Sequence, residues 1–103
     1  MTPSFAIKLV VRVLRTKSAE SDLDAIADYY GALNPMAALH LLDRIAETEA
    51  TLSEYPYIGR VGRVSETREA VITGTPFILI YALQTSALIV LRVLHGRQQW
   101  PAQ

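Results

Sequence analysis

Pro76-Phe77-Ile78-Leu79-Ile80-Tyr81 and, further on, Leu91-Arg92-Val93-Leu94-His95-Gly96-Arg97-Gln98-Gln99-Trp100-Pro101 decide how this chain folds. Phe77 to Leu83 is apolar on both parities, which predicts a central strand covered on both faces. Two more strands flank it in the sequence, over about Thr67 to Thr73 and Leu88 to Leu94, with Gly74-Thr75-Pro76 and Gln84-Thr85-Ser86 as the turns. Upstream stand Gly59-Arg60-Val61-Gly62-Arg63 and Thr67-Arg68-Glu69. Arg60, Arg63, Arg68, Arg92, Arg97 and His95 therefore lie within or at the ends of short apolar strands. Such a sheet presents cations on an apolar scaffold and is suited to docking.

Two helices precede the sheet. Ser18 is placed to cap the first, with Glu20 and Asp22 near the positive end of its dipole. Ala19, Leu23, Ile26, Ala27 and Tyr30 recur at spacings of three and four, predicting a helix from about Ser18 to Leu33 with one apolar face. Asn34-Pro35 is a second start signal, a capping side chain followed by proline where its missing N–H does no harm. Ala38, Leu41, Leu42, Ile45 and Leu52 carry that helix to about Glu54, where Tyr55-Pro56-Tyr57-Ile58-Gly59 stops it. So short a link makes the pair an antiparallel hairpin. The valine-rich run from about Lys8 to Arg15 reads as a first, half-buried strand.

With 103 residues the chain is expected to be one domain, residues 1–103, built on a single core. Half of the residues are apolar and 19% are charged, a composition that folds. Cysteine is absent, which excludes a disulfide framework, removes the thiolate zinc ligands and makes a reducing cytoplasm the expected location. His40 and His95 alone make no metal site, so neither metal nor other cofactor is expected. Lys8 and Arg12 interrupt the apolar N-terminal stretch, no basic region precedes it and no small-residue cleavage site follows it. No apolar run approaches the roughly 20 residues that span a bilayer. A soluble protein without a membrane partner is expected.

The net charge is zero, but the charges are segregated. Residues 1–17 carry four basic and no acidic groups, residues 18–54 carry eight acidic groups against Arg44 alone, and residues 55–103 carry five basic and two acidic groups. Overall neutrality disfavours strong nonspecific phosphate binding, whose strength grows with the phosphates neutralised. A local cationic sheet beside an anionic hairpin remains.

The order strand, two helices, three strands, together with Asp22-Leu23, Asn34-Pro35-Met36-Ala37-Ala38, Pro56, Gly59-Arg60 and the His95-Gly96-Arg97-Gln98-Gln99-Trp100-Pro101 end, resembles the RelE/ParE superfamily of toxins from bacterial type II toxin-antitoxin modules over roughly residues 9–101. The resemblance implies an α+β fold, a helical hairpin packed on a small, mostly antiparallel four-stranded sheet in the order β-α-α-β-β-β. It also implies a toxin that a cognate antitoxin binds and neutralises in a hetero-oligomer. ParE-like members poison DNA gyrase, whereas RelE-like members cleave messenger RNA on the ribosome. In RelE-like proteins a third-strand arginine, a fourth-strand arginine and a C-terminal tyrosine share the chemistry. Here Arg97 fits the fourth-strand position, Ile78 stands where the third-strand arginine would be, and no tyrosine follows Arg97. The gyrase-directed reading is therefore preferred. The alternatives are a ribosome-dependent, metal-independent endoribonuclease and a degenerate member that binds antitoxin without toxicity.

Should the chain be an enzyme after all, His95 and Arg97 are its candidate catalytic residues, histidine being the one group there that titrates near neutrality. The plainer role for His95 is a hydrogen bond to a neighbouring backbone carbonyl. Arg60, Arg63, Arg68, Arg92, Arg97 and Trp100 are the candidates for binding antitoxin or target, the arginines through bidentate bonds to carboxylate or phosphate. Arg68 has a simpler alternative in Glu66 or Glu69, and Trp100 in closing the core. Arg92, mid-strand among apolar neighbours, requires a specific partner because an unpaired guanidinium is costly there. Since the hairpin holds eight of the ten carboxylates, the sheet arginines are not all expected to find local acidic partners, and those left unpaired suggest an external anion. Glu20, Asp22, Asp24 and Asp28 read as a solvated helix face.

Overall fold

The computed structural model describes residues 10–101. Its elements run β1 (Arg12–Arg15), α1 (Lys17–Leu33), α2 (Pro35–Glu54), β2 (Arg60–Val61), β3 (Arg68–Val71), β4 (Phe77–Leu83) and β5 (Ala87–His95). The expected start of the first strand at Lys8 falls outside the described residues. The sheet order is β1-β5-β4-β3-β2, with β1 parallel to β5 and every other pairing antiparallel. The doubly apolar β4 is central, as its composition requires. One strand more is present than expected, because β2 is only two residues long and too short to leave a periodic pattern.

Asn34 works at both ends of the link between the helices. Its N–H donates to the Tyr30 carbonyl at 2.8 Å, closing α1, while its Oδ1 accepts from the N–H groups of Met36 and Ala37 at 3.1 and 3.2 Å, opening α2. The cap of α1 is Thr16 and not Ser18. Thr16 Oγ1 accepts from Ala19 N–H at 3.0 Å and donates to the Leu91 carbonyl at 2.9 Å, while its own N–H donates to the Val90 carbonyl at 3.0 Å. Ser18 could have supplied only the cap. Thr16 also ties the start of the helix to β5, and the chain turns into α1 as soon as β1 ends.

Ala19 and Ile26 of α1 and Leu41, Ile45 and Leu52 of α2 form one core with Ala70, Ile72, Phe77, Leu79, Tyr81, Leu88, Val90 and Val93 of the sheet side. Full burial of each Leu, Ile or Val is worth about 1.5–3 kcal/mol. Between Val90 and Arg92 the register on β4 slips, so that Tyr81 faces Val90 and Ile80 faces Arg92. Leu91 is thus the extra residue of a bulge. Without it, alternation would turn Arg92 into the core behind Val90. With it, Val93 returns to the core and Arg92 is kept out.

Candidate functional site

The cationic half of the sheet is built around two carboxylates. Glu69 lies in β3, its side chain 1% exposed. Its oxygens accept from the Arg63 N–H at 3.0 Å, from Arg63 Nε at 3.1 Å, from Arg63 Nη2 at 3.2 Å and from Arg60 Nη2 at 2.9 Å. Burial alone would push its carboxyl up, but the main-chain bond from Arg63 and the two guanidinium groups outweigh burial and hold Glu69 below its ordinary value. The segment between β2 and β3 is closed on this anion, with Gly62 N–H donating to the Thr67 carbonyl at 2.8 Å.

Asp22 is the second. β1 covers β5 only as far as Val90, leaving an open edge beyond it. Asp22 fills that edge from α1, accepting from Arg92 Nε at 2.7 Å and Nη2 at 2.8 Å and from the Val93 N–H at 2.9 Å. The Asp22 bonds raise the Arg92 guanidinium above its ordinary value, against a smaller opposing effect of burial. Asp22 is therefore not part of a solvated acidic face. The specific partner that Arg92 requires is internal.

Register places Arg60, Glu69, Ile80 and Arg92 in one cross-strand row on one face. Arg68 sits in the next row, opposite Tyr81, and so points to the other face. It pairs with neither Glu66 nor Glu69. Its Nη1 donates to the carbonyls of Gly59 at 2.7 Å and Tyr57 at 3.2 Å, with the guanidinium 5.0 Å from the centre of the Tyr57 ring. Tyr81 holds the same segment from below, its hydroxyl donating to the Pro56 carbonyl at 2.8 Å and accepting from Gly59 N–H at 3.1 Å. Burial pushes the Tyr81 hydroxyl pKa up. A Cβ on Gly59 would lie 2.5 Å from that hydroxyl, which is why glycine stands there.

Past the end of β5 the chain turns tightly. His95 N–H donates to Gln98 Oε1 at 2.7 Å, Gln98 N–H donates back to the His95 carbonyl at 2.9 Å, and Arg97 N–H donates to His95 Nδ1 at 3.2 Å. The His95 ring packs edge-on against Phe77, with centroids 5.6 Å apart. Arg97 is exposed and makes no ion pair among the described residues. Trp100 is half-buried, its indole N–H enclosed without a hydrogen-bond partner.

The sheet arginines do not all find a carboxylate, but three of the five do, and a fourth is held by main-chain carbonyls. Arg60 and Arg63 share Glu69, Arg92 takes Asp22, and Arg68 takes two carbonyls. A further ion pair was not anticipated: Arg15, at the end of β1, makes bonds of 2.8 and 2.6 Å to the buried Glu49 of α2. A signal for it was present, because Glu49 continues the 41-45-52 stripe and a carboxylate in an apolar stripe needs a partner. Among the described residues no cluster of three His, Asp or Glu could hold a metal ion, and no helix is long and apolar enough to cross a membrane.

Comparison with known proteins fits this geometry. Residues 13–100 match the family described as ParE toxin of type II toxin-antitoxin system, parDE. The chain is 39% identical over 90 residues to Y4kP of Sinorhizobium fredii, covering 87% of this chain and 93% of the relative. It is 31% identical over 87 residues to Toxin RelE2 of Caulobacter vibrioides, covering 84% and 97%. A solved structure described as the chromosomal ParDE TA system from P. aeruginosa superposes with a TM-score of 0.76 at 27% identity, over 84% of this chain and 96% of that one.

Proposed function

The chain belongs to the ParE toxin family of type II toxin-antitoxin systems, within the RelE/ParE superfamily, and from that premise we propose a gyrase-directed toxin neutralised by a cognate antitoxin. It acts in the cytoplasm, where its target lies. The partner assignment draws support from the ParDE system of the superposing structure.

One observation carries the choice of target. The two arginines of the cross-strand row are each held by an internal carboxylate, with Ile80 between Glu69 and Arg92, while Ile78 stands in the next strand position where RelE-like proteins carry arginine. Cleavage of a phosphodiester needs cations free to meet charge developing on phosphorus, and a base to take the 2′-hydroxyl proton. Here Glu69 is buried and already bonded to two guanidinium groups, and the exposed Arg97 is the sheet arginine left for an outside anion. That arrangement supports docking on a protein target over RNA cleavage.

The test is to induce the chain alone and to assay the purified protein twice, for inhibition of gyrase supercoiling and for codon-positioned messenger RNA cleavage on programmed ribosomes. Supercoiling inhibition without cleavage is expected. Cleavage abolished by Arg97→Ala would replace this reading with the ribonuclease. Neither activity, together with retained antitoxin binding, would mark a degenerate member.

A further inference from the structure

The ladder between β4 and β5 runs out at His95, which faces Phe77 in its final pair. One more main-chain bond follows, from the Gly96 N–H to the Pro76 carbonyl at 2.8 Å. The next donor along the chain, the Arg97 N–H, has a side chain as its acceptor, His95 Nδ1 at 3.2 Å. Two further bonds close the same turn, from the His95 N–H to Gln98 Oε1 at 2.7 Å and from the Gln98 N–H to the His95 carbonyl at 2.9 Å. A neutral imidazole has one accepting and one donating nitrogen, so the bond from Arg97 assigns the ring proton to Nε2.

The ring that accepts this bond is itself held from the core. Phe77, which is buried, packs edge-on against His95 with centroids 5.6 Å apart, and Tyr30 of α1 packs edge-on against Phe77 at 5.9 Å. Contacts of ring with ring fix the plane of the imidazole, and with it the direction in which Nδ1 accepts. The bonds made by the His95 and Arg97 N–H groups lie at the exposed surface. An N–H there loses little by turning to water, so these bonds contribute little to stability. What they supply is direction. The side chain they direct, Arg97, is exposed and makes no ion pair among the described residues.

We propose that His95 is a positioning residue of the toxin: through Nδ1 it holds the Arg97 main chain, so that the guanidinium is presented to an anionic group of the target in one direction. The proposal rests on the toxin reading above and adds the residue that aims Arg97. Ordering a charged group before contact lowers the entropy lost when the contact forms, which strengthens binding without adding a contact. His95 acts here through Arg97 and not on the target itself. An acceptor at the same place is therefore all that the role requires. Asparagine supplies one, because its Oδ1 stands as many bonds from Cα as Nδ1 does, whereas phenylalanine keeps a ring against Phe77 and supplies none.

The experiment compares wild type, His95→Phe and His95→Asn as purified full-length chains, in thermal unfolding, in amide exchange at Arg97 and in inhibition of supercoiling by DNA gyrase. The Arg97 amide should exchange at least about threefold faster in His95→Phe than in wild type. The concentration of His95→Phe needed for half-inhibition should rise by at least about tenfold, and His95→Asn should recover most of that loss. Stability should follow the opposite order, because His95→Asn gives up the packing on Phe77 that His95→Phe keeps. A merely structural role would instead make potency follow stability, and that outcome overturns the proposal. If wild type inhibits and His95→Phe is equally potent, the proposal falls and the toxin reading stands. If wild type inhibits neither gyrase nor growth, both fall. Should His95→Phe fail to fold, His95→Ala, which also lacks the acceptor, is read against His95→Asn in the same assays, and equal potency of those two overturns the proposal.

Discussion

Asp22 and Arg92, separated by 70 residues of sequence, meet through two hydrogen bonds of 2.7 and 2.8 Å, and the same carboxylate takes the Val93 N–H at 2.9 Å. α1 thereby replaces the strand that β5 lacks beyond Val90. Asp22→Ala should destabilise the fold by about 1.5–3 kcal/mol, since charged hydrogen bonds are lost and Arg92 is left beside an open edge. Urea unfolding measures it. Added to Arg92→Met, Asp22→Ala should cost clearly less than it does alone, and strict additivity would mean that the pair contributes nothing.

Glu69 gives the fold an acid-sensitive component. Its carboxyl ionises at lower pH in the folded chain than in the unfolded one, so its contribution is complete above the ordinary glutamate range and is lost as pH falls through the depressed folded value. The folded-state partners are Arg60 and Arg63, which stay charged throughout. Stability followed from neutral pH into acid should fall more steeply in wild type than in Glu69→Gln. Parallel curves would show that the clasp is energetically silent.

Tyr81→Phe should cost about 1–3 kcal/mol, because the buried Gly59 N–H and Pro56 carbonyl lose their shared partner. Gly59→Ala should be destabilising for the complementary reason, its Cβ meeting the hydroxyl at 2.5 Å. Combined, the two should cost less than the sum of the single changes, since deleting the hydroxyl removes part of the clash. Thermal unfolding of the three variants checks this.

Arg68→Ala and Arg97→Ala should separate structure from function. Arg68 clamps the carbonyls of Tyr57 and Gly59, so its loss should loosen that segment and lower stability by about 1 kcal/mol or more. Arg97 is exposed, and its removal should leave stability within about 0.5 kcal/mol of wild type. Arg97→Ala is expected to reduce growth inhibition or antitoxin affinity by at least about tenfold, which is about 1.4 kcal/mol. An Arg97→Ala protein that binds and inhibits like wild type would exclude the residue from the functional surface.

The elements were readable where the signal is local. Asn34-Pro35 marked the hairpin link, and the doubly apolar Phe77–Leu83 marked the central strand. The choice of Thr16 over Ser18 was not readable, because both are good caps and the contact that decides between them is made with β5, 75 residues away. The arginines were identified, but their partners were not. Glu69 was close enough in sequence to suggest a neighbour yet paired with Arg60 and Arg63 in place of Arg68, a choice fixed by which face each strand residue takes. Asp22 looks no different from Asp24 and Asp28 on a helical wheel; only the ending of β1 at Val90 singles it out.

The pairing of β1 with β5 has a consequence for synthesis. Among the described residues, the first strand made has the last as its only neighbour in the sheet, and Thr16 waits for carbonyls of Val90 and Leu91. While the chain is still on the ribosome, the helical hairpin can form but the sheet edge cannot close, since the long-range pairings come last. The domain therefore matures only once nearly all of β5 has left the exit tunnel, and a nascent chain cut short before Leu91 can neither anchor Thr16 nor seat Asp22 against Arg92.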